Sequence, residues 1–420
     1  MKPRQLSVLT LSSNDLSGSR FNGHDLHEGL LQRGVESTHG SFWETSSKKA
    51  WSSPVFDRRD VRLLAPIIRK FEAYSGMQNR FQYWTKSLLN ESVFHEADVV
   101  HLNIVHDHWF RFETVSEITK IKPTVWTWHD LWPVTGHCIQ PGTCGRWQVG
   151  CGSCPDLARP LPVKRDRTRQ EFLRKLRILS DLNVDIHVTT DWMKNKIQRF
   201  TNAMPNARVH VVPFGLSADE FPKVDRNLAR RDLGIPTGAR VVLARATDDP
   251  IKQFSRLLGV LSEIEFVSSD FVLLGIGSPR VNQPTWKRVG NLSCLFMPWT
   301  NNAADMAKFF AAADLTYQVS IDESFGMLAL ESMVQGRPVM TATGSATAEI
   351  SRTPDLEVSS SAFEADIVRI ARQLVDAPEA MQQLGDRAAE RASRAYGAED
   401  YIDRMTQLYR ETYRSFHKLD

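Results

Sequence analysis

The sequence has no long uninterrupted apolar run. No run reaches the roughly 18 to 20 residues that a membrane-spanning helix needs, and the start, MKPRQLSVLTLSSND, turns polar before the apolar part of a secretory signal could form. We find no short-period repeat and no low-complexity segment. With 42% hydrophobic and 24% charged residues, the 420-residue chain has the composition of a globular protein and the length of two domains. We therefore expect a cytoplasmic protein with two hydrophobic cores.

The chain also lacks a strong net charge. Its formal net charge is +3, and it contains no nucleic-acid-binding motif, so we expect no nucleic-acid partner. Cations are concentrated in residues 48–86, where they alternate with aromatic residues, and in residues 159–177. Two interpretations stay open: a solvated helical face, or a surface that contacts anionic lipid at the inner face of the cell membrane or a phosphate-bearing acceptor.

Cysteine is scarce, and four of the five cysteines lie within residues 138–154. These four are Cys138, Cys144, Cys151 and Cys154. A cytosolic chain seldom keeps disulfides, and four thiols around a C-x-x-C are typical of a tetrahedral zinc site. Four sulfurs would fill the coordination sphere, so the expected zinc is structural, with disulfides or reduced thiols as the alternatives. Cys294 lies in a predicted strand and is expected in a core.

Short aliphatic runs alternate with longer amphipathic ones along the whole chain. The expected strands are residues 6–13, 97–105, 124–128, 184–190, 208–215, 239–245, 270–277, 293–299, 313–319 and 337–344. Strand, helix and strand in repeated succession predict a parallel sheet with helices on both faces, and two such successions predict two sheets. We place the first domain at residues 1–195, the second at 196–395, and a C-terminal helix that packs back on the first domain at 396–420.

Two glutamates stand eight residues apart in the apolar stretch ESFGMLALESMVQGRPVMTATG, residues 323–344. Glu323 lies in the loop after a predicted strand, and Glu331 lies slightly more than two turns along the following helix. Ligands of doubly wound sheets bind beyond the carboxyl ends of the strands. A carboxylate accepts hydrogen bonds from vicinal hydroxyls, and the N–H groups at a helix start suit a phosphate. The pattern favours a ligand with two sugar rings and phosphate.

The segment SIDESFGMLALESMVQGRPVMTATGSATAEI resembles the nucleotide-sugar site of family 4 retaining glycosyltransferases. That family has the GT-B fold, two Rossmann-like α/β domains of doubly wound parallel sheets that face each other across a cleft. The segment NDLSGSRFNGHDLHEGLLQRGVE resembles the family's glycine loop and first helix, and VVPFGLSADEF resembles the start of its second domain. The segments HDLWPVTGHC and GCGSCP resemble a bacterial subgroup of exopolysaccharide and colanic-acid-type glycosyltransferases.

The resemblance implies a role for each matching residue. In the second domain, Glu331 would hold the ribose and Glu323 would contact the donor sugar. The remaining donor-binding residues there would be Arg245, Lys252, Phe325, Gly326, Met327 and Leu328. In the first domain, His129 would face the donor sugar as a catalytic residue together with Glu323. The diphosphate would rest on Gly18, Ser19 and Arg20, and the acceptor side would include His106, Asp107 and Asp130.

The reaction implied by the resemblance is retaining hexosyl transfer, EC 2.4, from a GDP-, UDP- or dTDP-linked sugar. The acceptor would be a hydroxyl of a glycan or of a polyprenyl-diphosphate-linked glycan in bacterial surface polysaccharide synthesis. Because Arg245 and Lys252 would stabilise the departing diphosphate, no catalytic metal is expected. Two alternatives stay open: a zinc-stabilised nucleotide- or glycan-binding module without turnover, and a GT-B sugar-phosphate synthase or phosphorylase.

Overall fold

The computed structural model describes residues 5–14, 26–43, 52–54, 59–217, 221–265 and 271–419. The chain divides into two compact units, which we call unit 1, residues 1–213 with 399–420, and unit 2, residues 214–398. The strand Ala207–Val211 pairs with Val184–Val188 in the sheet of unit 1. For this reason the division falls after Pro213 rather than at the expected residues 195 and 196.

The described residues of unit 1 contain a seven-stranded sheet in which every pairing is parallel. Its strands are β1 (Leu6–Asn14), β2 (Val35–Trp43), β3 (Ser52–Pro54), β4 (Val99–Leu102), β5 (Thr124–Thr127), β6 (Val184–Val188) and β7 (Ala207–Val211). Their order across the sheet is β3-β2-β1-β4-β5-β6-β7. Strands β4, β5 and β6 are buried along their whole length, as expected for a sheet covered on both faces.

The helices of unit 1 cover this sheet around a core rich in tryptophan. They are α1 (His27–Gln32), α2 (Arg59–Ser75), α3 (Ser92–Glu96), α4 (Phe112–Thr119), α5 (Thr168–Leu179), α6 (Asp191–Gln198) and the last helix, α14 (Ala398–His417). Fully buried large side chains include Trp84, Trp109, Trp126, Trp128 and Trp132. Helix α14 is tied to this core by the hydroxyl of Tyr409, which lies 2.8 Å from Nδ1 of His101 on β4.

The described residues of unit 2 form a second seven-stranded sheet, ordered β10-β11-β9-β8-β12-β13-β14. Its strands are β8 (Arg240–Arg245), β9 (Phe271–Ile276), β10 (Thr285–Val289), β11 (Leu292–Met297), β12 (Leu315–Gln318), β13 (Val339–Ala342) and β14 (Glu357–Val358). The edge strand β10 runs antiparallel to β11, and the other pairings are parallel. The predicted class, α/β with two doubly wound parallel sheets, is confirmed.

The helices of unit 2 alternate with its strands. They are α7 (Arg226–Asp232), α8 (Phe254–Glu263), α9 (Ala303–Ala312), α10 (Met327–Val334), α11 (Ala346–Ser351), α12 (Phe363–Asp376) and α13 (Pro378–Ala395). Cys294 of β11 is buried in the core of this unit, as expected. Among the described residues of both units, no helix combines the length and the apolar composition that a membrane crossing demands.

Candidate functional site

The two strand-end loops of unit 2 bring an acid and a cation together. Glu323 follows β12, and Lys252 lies in a short 3-10 turn, Pro250–Lys252, that follows β8. The Nζ atom of Lys252 lies 2.5 Å from Oε2 of Glu323, and each side chain keeps 15% of its surface exposed. Gln318, the last residue of β12, donates from Nε2 to the same carboxylate oxygen at 3.2 Å. A charged pair therefore stands at the carboxyl edge of the sheet, where doubly wound sheets bind ligands.

The helix that carries the second glutamate begins without a side-chain cap. Its N-cap residue is Gly326, with φ +94°, which has no side chain to cap the first turn. Residues other than glycine rarely adopt this conformation, and a Cβ at this position would also collide with the methyl group of Thr347. The N–H groups at the start of a helix and the helix dipole make this turn suitable for phosphate.

Helix α10 presents one half-buried face beyond this turn. Met327, Leu328 and Glu331 are half-buried, whereas Ala329, Leu330, Ser332 and Met333 are buried. Phe325 is buried and packs edge-on against Phe214, with ring centroids 5.3 Å apart. The phenylalanine thus anchors the turn inside unit 2, while Glu331 and the two apolar residues are only partly buried.

The other expected cation, Arg245, is the last residue of β8 and is exposed. Its guanidinium carbon lies 5.2 Å from the ring centroid of Trp299, a contact typical of cation–π pairs. Gly277 has φ +73°, and a Cβ there would lie 2.8 Å from the Trp299 ring. The sequence alone indicated neither Trp299 nor Gln318, because their partners are distant in the chain.

The residue after Lys252 has a left-handed backbone. Gln253 has φ +53° and ψ +24°, a conformation that favours glycine. Its side chain donates from Nε2 to the carbonyl of Val319 at 3.0 Å, and its own carbonyl accepts from the hydroxyl of Tyr317 at 3.3 Å. These bonds stabilise the turn that aims Lys252 at Glu323.

Unit 1 places a neutral histidine at the end of β5. His129 lies two residues beyond the strand, with Nε2 3.0 Å from Oδ1 of Asn103, which directly follows β4. Burial lowers the pKa of His129 to about 3 against the attraction of Asp130, with smaller contributions from His187 and His106. At physiological pH His129 is therefore an uncharged imidazole suited to hydrogen bonding.

The structure joins two of the three expected acceptor-side residues. Nε2 of His106 lies 2.7 Å from Oδ2 of Asp130, and Oδ1 of Asp130 accepts the N–H of Trp132 at 2.8 Å. Burial opposes ionisation of Asp130, but its bonds to His106 and Trp132 hold the carboxyl pKa below its ordinary value. His106, His129 and Asp130 line one small cavity, whereas Asp107 is exposed and lines no part of it.

A chain of buried polar groups behind this cavity was not predicted. Thr127 Oγ1 lies 2.7 Å from Nε2 of His101 and 2.8 Å from Nδ1 of His187. His187 Nε2 contacts the carbonyl of Val212 at 2.8 Å. Burial lowers the pKa of both histidines, that of His187 to about 4, so the chain is neutral. It links β4, β5 and β6 directly beneath His129.

The predicted diphosphate residues Gly18, Ser19 and Arg20 lie outside the described residues. Their roles stay predictions.

The expected zinc site is not present in the structure. Among the described residues, which include the whole of 138–154, no group of three or more His, Cys, Asp or Glu side chains is placed to hold a metal ion. Cys151 Sγ accepts the N–H of Gly136 at 3.2 Å, and Cys154 Sγ lies 3.4 Å from Nε2 of His137. Burial raises the pKa of Cys138 to about 12 and that of Cys151 to about 11. The described side chains therefore do not support the zinc prediction.

Hydrogen bonds to the start of α5 hold the cysteine loop instead. Asp166 Oδ2 accepts the N–H of Cys154 at 2.6 Å, and the hydroxyl of Thr168 accepts that of Gly152 at 3.0 Å. Further along α5, Lys175 is fully buried and donates from Nζ to the carbonyl of Trp132 at 2.9 Å. These hydrogen bonds hold the cysteine loop against the start of α5.

Parts of this chain resemble known proteins. Residues 225–391 match the family model of glycosyl transferases group 1. WcaC of Escherichia coli K12, named as a glycosyl transferase of colanic acid biosynthesis, is 29% identical over 171 residues, which are 38% of this chain and 41% of WcaC. A D-inositol 3-phosphate glycosyltransferase of Segniliparus rotundus is 26% identical over 343 residues, 79% of this chain and 70% of that protein. The chain thus spans less than half of WcaC.

Solved structures resemble the chain over nearly its full length. Sucrose-phosphate synthase from Thermosynechococcus elongatus has a TM-score of 0.67 at 18% identity and covers 98% of this chain and 100% of its own. The Anabaena protein HepE, solved with UDP and glucose, has a TM-score of 0.63 at 13% identity, covering 97% and 100%. WaaG, a glycosyltransferase of lipopolysaccharide biosynthesis, has a TM-score of 0.63 at 14% identity, covering 96% and 99%. At such identities these likenesses establish the fold, GT-B, while residues 225–391 match the model of glycosyl transferases group 1.

Proposed function

We propose that this protein is a retaining glycosyltransferase of family 4 that transfers a sugar from a nucleoside diphosphate sugar to a hydroxyl of a glycan or lipid-linked glycan. The observation that carries the proposal is the Lys252–Glu323 pair at the carboxyl edge of the unit 2 sheet, next to the uncapped start of α10. A cation and the N–H groups of a helix start suit a diphosphate, and two carboxylates suit the hydroxyls of two sugar rings.

In the proposed reaction the bond between the anomeric carbon and the diphosphate breaks, and a bond from that carbon to the acceptor oxygen forms on the same face. The acceptor proton passes to the departing diphosphate, so the products are a nucleoside diphosphate and a glycoside. Charge grows on the phosphate oxygens as this bond breaks. Lys252, Arg245 and the N–H groups of the first turn of α10 would stabilise that charge without reorganising, which lowers the barrier.

The other polar residues of the site are assigned to substrate groups by their hydrogen-bonding capacity and charge. Glu331 would accept hydrogen bonds from the ribose, and Glu323 from the donor sugar once Lys252 turns to the diphosphate. His129, held neutral, would bond a sugar hydroxyl without adding charge. The His106–Asp130 pair would orient the acceptor hydroxyl. UDP- and glucose-bound HepE supports a nucleotide-sugar donor, and the likeness to WcaC supports a role in bacterial surface polysaccharide synthesis.

A panel of GDP-, UDP- and dTDP-sugars tests the donor assignment. A true donor should raise the melting temperature of the full chain, since a ligand that binds the folded state stabilises it. With that donor, Glu331→Ala should weaken binding of the free nucleoside diphosphate about tenfold, the effect of losing a charged hydrogen bond. Glu323→Ala should leave nucleotide affinity intact and lower turnover. Equal nucleotide affinity and unchanged turnover in both variants would remove the assignment, and binding without any transfer would favour a binding module.

We further infer that the acceptor is met at an anionic membrane surface. Helix α2 buries Val61, Ala65 and Glu72 and turns a second apolar face outward. This α2 stripe consists of Leu63, Ile67, Phe71 and Tyr74, of which Leu63 and Ile67 are more than 60% exposed. Exposed cations flank it on the same helix: Arg59, Arg62, Arg69 and Lys70. Adjacent apolar and cationic stripes are the features of helices that lie in a lipid interface. Arg58, another cation of this segment, lies outside the described residues.

A further inference from the structure

A second concave site lies at the other end of the unit 2 sheet. Arg240 begins β8, Asp314 directly precedes β12, and Arg337 with Pro338 directly precedes β13. These strands are parallel, so all three residues are at the amino edge, whereas Glu323 and Lys252 are at the carboxyl edge. Strands of four to six residues separate the two edges by roughly 13–20 Å. A cavity of about 200 Å³ opens there, several times the roughly 30 Å³ that one water takes in the liquid.

Arginine dominates the lining of this cavity. Arg226, Arg240 and Arg337 line it, and Arg226 forms an ion pair with Asp314. The buried Arg230 shares that carboxylate, with Nη2 2.9 Å from Oδ2. Burial, then the nearby Arg337 and Arg240, lowers the pKa of Arg226 to about 10. Asp314 therefore forms ion pairs with two arginines, Arg226 and Arg230. The positive charges of Arg240 and Arg337 form no ion pair with a described residue.

Arg337 is the least satisfied of the group. Its side chain is buried, with 8% of its surface exposed, and its Nε has no hydrogen-bond partner among the described residues. Its Nη1 reaches Oε1 of Gln382 at 3.5 Å, the limit of a hydrogen bond. Asp386 attracts it, but that carboxylate accepts a bond from Gln382 at 2.9 Å and forms no ion pair with Arg337. A buried guanidinium without a counter-ion destabilises the folded state, and a bound anion would remove that penalty by pairing with it.

The start of α13 supplies a further donor group to the same cavity. The cavity is lined by four residues from the first turns of this helix: Pro378, Glu379, Met381 and Gln382. The N-cap residue, Ala377, has no polar side chain with which to cap the first turn. The helix is 18 residues long, so its dipole favours an anion at this end. Arg240 adds a half-buried guanidinium that makes no hydrogen bond or ion pair with another described residue. Glu379 is exposed and opposes these charges only in part.

We propose that this cavity binds a diphosphate-bearing anion through Arg226, Arg240, Arg337 and the first turn of α13, as a site separate from the donor site. Planar guanidinium groups bind phosphate oxygens in pairs, which suits a ligand with more than one phosphate. The anion would contact Arg240 at the start of β8, Arg337 just before β13, and the first turn of α13, and would thereby link the amino ends of these three elements. The same sheet carries the donor loops at its opposite edge.

The test measures inorganic pyrophosphate binding to the full chain by calorimetry and by melting temperature, with potassium chloride at matched ionic strength as the ionic control. We expect pyrophosphate to stabilise the wild type and also Lys252→Met, whose donor site is impaired. In Arg337→Met and in Arg240→Gln the dissociation constant should rise about tenfold or more, the effect of losing a charged hydrogen bond. Arg288→Gln, which removes an exposed arginine of β10, is the matched control and should bind as the wild type does.

The two arginine variants differ in what they do without ligand. Because Arg337 is a buried charge without a counter-ion, Arg337→Met should leave the melting temperature of the free protein unchanged or raised. If Arg337→Met does not fold, Arg240→Gln, at a half-buried position, still provides the measurement. The proposal is overturned if pyrophosphate does not bind the wild type, if both arginine variants bind it unchanged, or if Lys252→Met alone abolishes binding. The last result would assign the anion to the donor site.

Discussion

Both units place polar residues at the carboxyl ends of their strands. In unit 2 these residues form a charged pair, whereas in unit 1 the histidine at this position is neutral. In unit 2, Lys252 and Glu323 form an ion pair with partial solvent access. In unit 1, His129 stands among buried tryptophans and is neutral because burial lowers its pKa to about 3. A diphosphate requires positive charge nearby, whereas sugar hydroxyls can bond to neutral groups as well as to carboxylates. In the proposed reaction, unit 2 would therefore bind the phosphates, and the neutral His129 of unit 1 would bond a sugar hydroxyl.

The largest expected effect concerns the buried lysine of unit 1. Burial lowers the pKa of Lys175 from 10.5 to about 7, with the attraction of Glu171 too small to offset it. Between these two values the unfolded chain holds a proton that the folded chain has lost, so the free energy of unfolding should rise with pH across this window. The slope should approach about 1.4 kcal/mol per pH unit and total about 5 kcal/mol over the window. Below about pH 7 the lysine is protonated in both states and the contribution is flat.

Denaturant unfolding between pH 6 and about pH 10 measures this slope for the wild type and for Lys175→Met, which should lose it. Lys120→Met, at an exposed position that ends α4, is the control and should keep it. An equal slope in the wild type and Lys175→Met would show that the ammonium is not desolvated, and unit 1 would then tolerate charge as unit 2 does.

The next effect concerns the cation of unit 2. If Lys252 stabilises the departing diphosphate, Lys252→Met should lower kcat about 10²- to 10³-fold, as the loss of one preorganised electrostatic group does elsewhere. Lys287→Met, on the exposed strand β10, should leave kcat unchanged. Steady-state kinetics with the identified donor measures both. A change in KM alone would mean that Lys252 binds the ground state and transition state equally.

The general architecture was readable from the sequence, and the exceptions have physical causes. Buried parallel strands are continuous aliphatic runs, so β4, β8 and β9 were visible. Strand β2, VESTHGSFW, mixes polar and small residues, and β10, TWKRV, is a largely exposed edge strand, so neither has such a run. Strand β7 was found but grouped with the wrong sheet, because pairing across the sheet leaves no local signal.

The candidate site divides in the same way. The spacing of Glu323 and Glu331 was visible because both lie on one continuous segment. The partners that aim these residues, Gln318 and Trp299, and the Asn103 that holds His129, come from separate loops and required the fold. Cysteine spacing suggested zinc, but spacing does not fix where sulfur atoms point, and in the structure Cys151 and Cys154 make other contacts.

The third prediction tests whether unit 1 also supplies the membrane contact. Ile67→Ser with Phe71→Ser should lower binding to anionic vesicles about a hundredfold, since each apolar side chain contributes roughly 1.5–3 kcal/mol when fully buried. Neutral replacements at Arg59, Arg62, Arg69 and Lys70 should instead abolish the dependence of binding on salt. Sedimentation at low and high salt measures both.

A control substitution in unit 2 tests whether loss of any exposed aromatic residue weakens vesicle binding. Trp286→Ser removes an exposed aromatic residue of β10, and it should leave sedimentation unchanged while donor binding persists in every variant. Wild-type protein that stays in the supernatant at low salt would show that the α2 stripe is a solvated face and would favour a soluble acceptor.

The smallest expected effect returns to His129. A neutral hydrogen bond contributes about 0.5–1.5 kcal/mol, so His129→Gln, which keeps donors and acceptors but not the ring, should lower kcat up to about tenfold. Because the pKa of His129 lies near 3, far below its ordinary value, the wild-type rate should show no inflection from this residue between pH 5 and pH 8. The pH profiles of the wild type and His129→Gln should therefore run parallel over that range. An inflection near pH 6 to 7 that is present in the wild type and absent from His129→Gln would show that the histidine carries charge during turnover, and the contrast between a charged unit 2 site and a neutral unit 1 site would fail.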